Sequence, residues 1–153
     1  MSCQFCHYYA DRADFAGVPS LMDCLGCHQL VKGSDENKRA EIKKLDDFWF
    51  LKQPLDWLRL NDLPDFVFFS HRSHTSVGFT CERCHGDMTA VEDQTQAGKI
   101  MDLTMGWCIN CHQEKHPLDA NGLVITSPPV STKQATNAEK VLQGSLECHS
   151  CHK

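Results

Sequence analysis

The chain has 153 residues, a suitable length for one domain, and a formal net charge of −5 at neutral pH. Hydrophobic residues make up 41% of it, but ten of these are cysteines, which leaves a thin apolar core. The Lys and Arg residues are scattered and form no basic stripe, so we expect no nucleic-acid partner. No apolar run is long enough to span a membrane and no signal-peptide pattern opens the chain, so we expect these residues neither to cross a membrane nor to direct export.

The ten cysteines form five Cys-x-x-Cys pairs, and a histidine follows each pair at once. This is the pattern of c-type haem attachment, in which two thiols bond the vinyl groups of one porphyrin and the adjacent imidazole binds the iron. Structural zinc would need two pairs per metal and leave one pair over. A disulfide scaffold would not call for the histidines, and a thioredoxin-like dithiol would explain a single pair. We therefore expect five c-type haems, attached at Cys3, Cys6, Cys24, Cys27, Cys81, Cys84, Cys108, Cys111, Cys148 and Cys151, with proximal ligands His7, His28, His85, His112 and His152.

The motifs are spaced irregularly, so the chain is not a repeat protein. We expect one pentahaem domain over residues 1–153, mostly irregular and α-helical with little β structure, whose core is built around the bound haems. In chain order, the sequence predicts a helix over 34–52, capped by Ser34 or Asp35 and ended by Pro54, with an apolar face of Ile42, Leu45, Phe48 and Trp49. It then predicts a strand-like stretch over 55–60, aromatic rings at 66–69 that line porphyrin, an exposed connection near 117–133 and a short helix from Thr136 through Leu142 to Gly144.

Axial ligands are in short supply. Beyond the five motif histidines the chain has four others, one fewer than five six-coordinate irons require. His71 and His74 are three residues apart, so a helical turn would place both rings on one side, within reach of two adjacent haems; the alternative is a pair of surface histidines. His116 could serve a neighbouring haem or lie exposed at a helix end. His149, inside the last motif, is expected to be a bystander.

A methionine could supply a missing ligand. Met105 precedes Cys108 by three residues, and Gly106 would let the backbone approach a cofactor closely. We expect Met105 to bind one iron through its thioether, which would raise that haem's potential and give electron flow a direction; the alternative is a core gap filler.

The segments Phe69-Ser-His71-Arg-Ser-His74 and Gly78-Phe-Thr-Cys81 resemble the class III multihaem cytochromes c. More narrowly, Leu63-Pro-Asp-Phe-Val-Phe-Phe-Ser-His71 and Leu103-Thr-Met-Gly-Trp-Cys108 are similar to the pentahaem cytochrome subunit of alternative complex III, as are the residues after Cys6 and those around Ala16. This resemblance covers residues 3 to about 115 and resumes at the last motif. It implies four haems with two histidine ligands and one with His and Met, which suits Met105.

The resemblance also implies a location and partners. It places the chain in the periplasm, on the outer face of the cytoplasmic membrane, as a subunit of a membrane-bound quinol oxidoreductase. An iron-sulfur, molybdopterin-enzyme-like subunit and a monohaem cytochrome or terminal oxidase would be its partners. Because the family has a further Phe-Ser-His-x-x-His segment and an anchor or export signal before its first motif, we expect such a segment upstream of Met1, with membrane association through it or through the partners.

The function we expect is electron transfer through closely packed haems, with no separate catalytic site in this chain. The acidic surface, made more so by haem propionates, would favour a basic docking partner. One rival is a multihaem reductase or oxidase that acts on a small nitrogen or sulfur compound at an open iron. Another is a unit of an extracellular cytochrome filament, in which a neighbouring copy supplies the absent ligand.

Overall fold

The structure is a computed structural model that describes residues 1–91, 101–125 and 140–152. Within these ranges the only sheet is an antiparallel pair of two-residue strands, β1 (His116–Pro117) and β2 (Val141–Leu142). The helices are α1 (Leu21–His28), α2 (Glu36–Leu51), α3 (His71–Thr75), α4 (Cys81–His85), α5 (Met105–Gln113) and α6 (Cys148–Cys151), and 3₁₀ turns cover Cys3–Phe5 and Met88–Ala90. The predicted fold class, irregular and helical with little β structure, is confirmed.

The chain divides into two compact units. The first unit comprises residues 1–9 and 16–58, and the second comprises residues 10–15 and 59–153. In the first unit α1 packs against α2. Ser20 starts α1 with a capping box, because its side chain accepts from the Asp23 N–H while the Asp23 carboxylate accepts from the Ser20 N–H.

The helix predicted over 34–52 is present as α2, Glu36–Leu51. Asp35 is its N-cap and accepts from the Lys38 N–H at 2.9 Å. The helix ends ahead of Pro54, because Lys52 adopts a left-handed φ of 51° and the Gln53 N–H bonds back to the Phe48 carbonyl at 3.0 Å. On its predicted apolar face Ile42, Leu45 and Phe48 are half-buried, whereas Trp49 is 49% exposed.

In the second unit the segment 10–15 packs along α3. The N–H groups of His71 and Arg72 donate to the carbonyls of Asp14 and Ala13, each at 3.1 Å. The Thr75 hydroxyl donates to the Ala10 carbonyl at 3.0 Å. These bonds hold both ends of a five-residue helix that is too short to be stable alone.

Two of the predicted elements are wrong. Residues 55–60 form no strand, because no other described segment pairs with them, although the Trp57 indole N–H still donates to the Pro19 carbonyl at 3.3 Å. The predicted helix does not extend through Leu142, since Val141 and Leu142 pair with Pro117 and His116 as β2; its residues 136–139 lie outside the described ranges.

The predicted connection near 117–133 is described as far as residue 125. There the Asp119 carboxylate accepts from the Asn121 and Leu123 N–H groups, at 2.8 and 2.9 Å, and closes an exposed turn. Val124, which follows, is buried and its N–H donates to the Val77 carbonyl at 2.7 Å. The stretch therefore begins as a packed loop; its residues 126–133 lie outside the described ranges.

The polypeptide core is very small. Among the described residues only Ala10, Leu25 and Val124 are buried hydrophobics, and no large side chain is fully buried. Phe5, Phe15, Phe50 and Leu30 are each at least 71% exposed. So much uncovered apolar surface is unusual for a chain of this length and matches a protein that needs large apolar groups to complete its interior. In the part of the chain that the structure describes, no helix has the length and hydrophobicity to cross a membrane.

We predict that Asp35→Ala lowers the helicity of α2, because the variant loses the acceptor for the Lys38 N–H. Hydrogen exchange over residues 36–40, measured on the haem-loaded protein, would report the loss as faster exchange. The Lys38 N–H and side chain hold the pKa of Asp35 below its usual value. The cap's contribution should therefore persist above the ordinary aspartate pKa of about 4 and fade as the pH falls through the lower folded-state value.

Asp47→Ala is the matched control, since Asp47 is an exposed acid of the same helix that pairs with Lys43 at 2.6 Å and caps nothing. Equal exchange in the two variants would contradict the capping role.

Candidate haem centres

Each Cys-x-x-Cys-His motif lies on a helical turn. The first begins in the 3₁₀ turn at Cys3–Phe5, the next three lie in α1, α4 and α5, and the last overlaps α6, with His152 directly after that helix. Residues three apart on a turn project to the same side, so both thiols of a motif face one direction. None of the ten cysteines forms a disulfide. Burial raises the pKa of the thiols of Cys24, Cys84 and Cys108, which keeps them in the neutral form.

Three motif histidines are held by the main chain. The ring Nδ1 of His7 lies 2.7 Å from the Gly17 carbonyl oxygen, that of His28 lies 3.1 Å from the Val31 oxygen, and that of His112 lies 2.7 Å from the Ser145 oxygen. A carbonyl can only accept, so Nδ1 carries the hydrogen and the lone pair is on Nε2. This is the arrangement of metal-ligating histidines, in which the outer hydrogen bond fixes both tautomer and ring orientation.

The other two motif histidines have different surroundings. Nδ1 of His85 lies 3.2 Å from Nδ2 of the Asn61 side-chain amide. The ring of His152 lies 5.8 Å from that of Phe66, and its backbone forms a bridge with Val67.

His71 and His74, on α3, are also held by main-chain carbonyls through Nδ1. Nδ1 of His71 faces the Asp14 carbonyl oxygen and Nδ1 of His74 faces that of Ser70, each at 2.8 Å. Both rings therefore have a free lone pair on Nε2. Burial lowers the pKa of His74, so its imidazole is neutral at pH 7, the form that binds metals.

These two rings each lie opposite a motif histidine. The ring centres of His71 and His85 are 6.4 Å apart with planes 4° from parallel, and those of His74 and His112 are 6.0 Å apart with planes at 34°. A metal–imidazole bond is about 2 Å long and the nitrogen lies about 1 Å from the ring centre, so two imidazoles on opposite sides of one ion have centres about 6 Å apart. We call these the two facing pairs. In each of them the distance between the ring centres fits an iron bound by both histidines.

Phe69 contacts both α3 histidines. Its ring stacks on His74 at 4.5 Å and meets His71 edge-on at 4.9 Å. The two imidazoles therefore have different orientations relative to the Phe69 ring. Ligands that bind two different irons would have such different orientations.

Gly144 packs directly against the imidazole ring of His112. A Cβ atom at Gly144 would lie 2.4 Å from Cγ and 2.7 Å from Nδ1 of the His112 ring. Such distances are impossible for a real side chain, so the carbonyl of Ser145 can approach His112 only because residue 144 is glycine.

The remaining predicted ligands stand apart from this pattern. His116 uses its other nitrogen: Nε2 lies 3.1 Å from the Cys111 carbonyl oxygen and 3.9 Å from Cys111 Sγ. With Cys111 and Glu114 it forms a cluster of potential metal ligands, but Cys111 belongs to a haem motif. Met105 begins α5 and is 66% exposed, and His149 is exposed on α6.

Comparison with known proteins supplies the family. The family model described as cytochrome c3 matches residues 73–153, just over half of the chain. The chain belongs to the cytochrome c3 family. C-type haem is therefore the cofactor of this cytochrome, and multihaem electron transfer is its class of function.

One curated relative extends the similarity beyond the family match. The multiheme cytochrome c subunit of menaquinone reductase from Nitratidesulfovibrio vulgaris is 36% identical to this cytochrome over 135 residues. The alignment covers 77% of this chain and 63% of that protein, so this cytochrome spans less than two thirds of its relative.

Several residues of these sites are not apparent from the sequence. The carbonyls of Gly17, Val31 and Ser145 belong to the backbone and leave no side-chain signal. Asn61 lies 24 positions before His85 and outside any motif. Gly144 ends a helix in the sequence prediction, and its position four residues before Cys148 does not reveal that its partner is His112.

We predict that Gly144→Ala disturbs the candidate haem centre at His112, because the methyl group would push the ring away from the Ser145 carbonyl. Overpacking of this kind costs about 1–3 kcal/mol. Thermal unfolding of the haem-loaded protein should show the loss of stability, and its visible spectrum should show part of one haem shifted to high spin. Gly106→Ala is the control, since a Cβ at Gly106 on α5 meets nothing within 4 Å. A Gly144→Ala protein with wild-type stability and spectrum would contradict this packing.

Proposed function

We propose that this cytochrome carries electrons through five covalently bound c-type haems. The two facing histidine pairs are the observation that carries the proposal, because two strong axial ligands close an iron to substrates and leave it suited to electron exchange. The haem supplies reversible one-electron redox chemistry. The chain supplies the attachment thiols, the axial imidazoles and the apolar surface that covers the porphyrin. We propose that both compact units belong to one functional pentahaem domain, since two motifs fall in the first and three in the second.

The proposed attachment sites are the five motifs, with the histidine of each as proximal ligand. They are, in order, Cys3, Cys6 and His7; Cys24, Cys27 and His28; Cys81, Cys84 and His85; Cys108, Cys111 and His112; and Cys148, Cys151 and His152. We assign His71 as the second ligand of the His85 iron and His74 as the second ligand of the His112 iron.

Met105 and His116 remain proposed ligands. The exposed thioether of Met105 is accessible at the start of α5, as the His/Met set of the resembling family would require. His116 could bind an iron through Nε2 only after its ring releases the Cys111 carbonyl.

The first unit favours a second candidate function. The two histidines of this unit, His7 and His28, are both proposed proximal ligands, so any second ligand of their irons comes from outside the unit. An iron left with an open position could bind and reduce a small molecule. Carbon monoxide binding by the reduced wild-type protein would favour this candidate. Five irons that each have two protein ligands would favour electron transfer alone.

We further propose that this cytochrome lies on the outer face of the cytoplasmic membrane as a subunit of a quinone-linked membrane complex. The similarity to a menaquinone reductase subunit and the sequence resemblance to the pentahaem subunit of alternative complex III support this role. The resemblance favours oxidation of quinol. A monohaem cytochrome or terminal oxidase would then receive the electrons.

We predict that removing either α3 histidine opens one iron. His71→Gly and His74→Gly should each convert one haem per chain to a high-spin form that binds one carbon monoxide more than wild type. Added imidazole should restore the low-spin spectrum, because the vacated space fits that ring. Visible and electron paramagnetic resonance spectra would measure both effects.

His149→Gly is the control, since His149 is exposed and is not assigned to an iron. Intact mass should show five haems in every variant. Unchanged low-spin spectra in both α3 variants, with five haems bound, would contradict the facing-pair assignment.

We predict that the native membrane complex, and not this cytochrome alone, reacts rapidly with quinol. Stopped-flow absorbance after mixing the oxidised complex with a menaquinol analogue should show haem reduction at a rate many-fold above that of the isolated subunit, because a partner holds the quinone site. Equal rates, or no reduction in the complex, would contradict quinol oxidation through a partner. Rapid reoxidation of the reduced complex by quinone alone would reverse the direction of electron flow.

A further inference from the structure

Asn61 sets His85 apart from the other anchored motif histidines. His7, His28 and His112 face main-chain carbonyls, whereas Nδ1 of His85 lies 3.2 Å from Nδ2 of the Asn61 side-chain amide. Asn61 itself is in an irregular segment without regular backbone pairing. The exposed Arg59–Asp62 ion pair, with 3.0 Å between Nη1 and Oδ1, spans this residue in the sequence.

Metal binding by His85 would decide which of the two residues, His85 or Asn61, donates the hydrogen bond. If His85 binds iron through Nε2, Nδ1 must carry the ring's hydrogen and needs an acceptor. Nδ2 of Asn61 is the atom that faces the ring, and half a turn about the Cβ–Cγ bond would exchange it for Oδ1, which is an acceptor. The opposite arrangement, in which Nδ2 donates to Nδ1, would place the hydrogen on Nε2 and prevent the ring from binding metal.

We propose that Asn61 is a positioning residue for the iron bound by His85. Its Oδ1 accepts from Nδ1–H, holds the His85 plane parallel to that of His71 and adjusts the reduction potential of that haem. This inference rests on the proposed function, specifically on a haem at Cys81 and Cys84 with His71 opposite His85.

The strength of this hydrogen bond affects the iron. A stronger acceptor at Nδ1 makes the imidazole a more basic ligand, which favours the oxidised metal and lowers the potential. Loss of the acceptor has the opposite effect and frees the ring to rotate. A main-chain carbonyl cannot be removed by a substitution. Among the motif histidines with a hydrogen bond at Nδ1, which are His7, His28, His85 and His112, only His85 has a partner that a side-chain substitution can change.

The experiment compares two substitutions at one position in the full-length, haem-loaded protein. Asn61→Asp supplies a charged acceptor of the same shape, and Asn61→Leu removes the acceptor while keeping the volume. Spectroelectrochemical titration should show one of the five midpoint potentials lowered in Asn61→Asp and the same one raised in Asn61→Leu. Electron paramagnetic resonance should show altered g values for one low-spin haem in Asn61→Leu, because its ring plane is no longer fixed parallel to His71.

Gln53→Glu is the matched control, since it makes the same amide-to-carboxylate change at an exposed residue after α2. Its potentials should equal those of wild type. Unshifted potentials in both Asn61 variants, or shifts of the same sign, would overturn the inference while leaving the haem assignments intact. Peptide mass spectra that show no haem on Cys81 and Cys84 in the wild-type protein would overturn the proposed function at this motif and the inference with it.

Discussion

The hydrogen bond from an imidazole Nδ1–H to a fixed acceptor is the interaction on which the candidate centres depend. It orients the rings of His7, His28, His71, His74 and His112, and in each it leaves Nε2 as the free nitrogen. Because all five of these acceptors are main-chain carbonyls, the geometry of the ligands is set by the path of the backbone. Short helices and tight loops are enough for this purpose, and the absence of longer elements in most of the described chain follows from it.

The small core is a second consequence of the same design. A chain that buries only Ala10, Leu25 and Val124 among its described hydrophobics gains little from polypeptide packing alone. Covalently bound porphyrin would supply the missing apolar volume, so folding and cofactor attachment should be coupled, as they are in small metal-dependent domains.

Sequence reasoning succeeded where the signal is local. Asp35 and the residues after it define α2 by capping and propensity, and the spacing of His71 and His74 correctly places both on one short helix. It failed where partners are distant. Val141 and Leu142 are suitable for a helix but pair with β1, and residues 55–60 have strand-like composition but no pairing strand among the described residues. The pairing of α3 with the motif histidines could not be read from the sequence either, because the register of rings across 14 and 38 positions depends on tertiary structure.

The shared helix α3 has a consequence for conduction. His71 and His74 stand one turn apart and face different motif histidines, while Phe69 touches both. A single turn of backbone would thus fix the distance between two redox centres. A displacement of one centre would be accompanied by a displacement of the other. Tunnelling between them would then be insensitive to motion elsewhere in the molecule, which is an advantage for a protein built largely of loops.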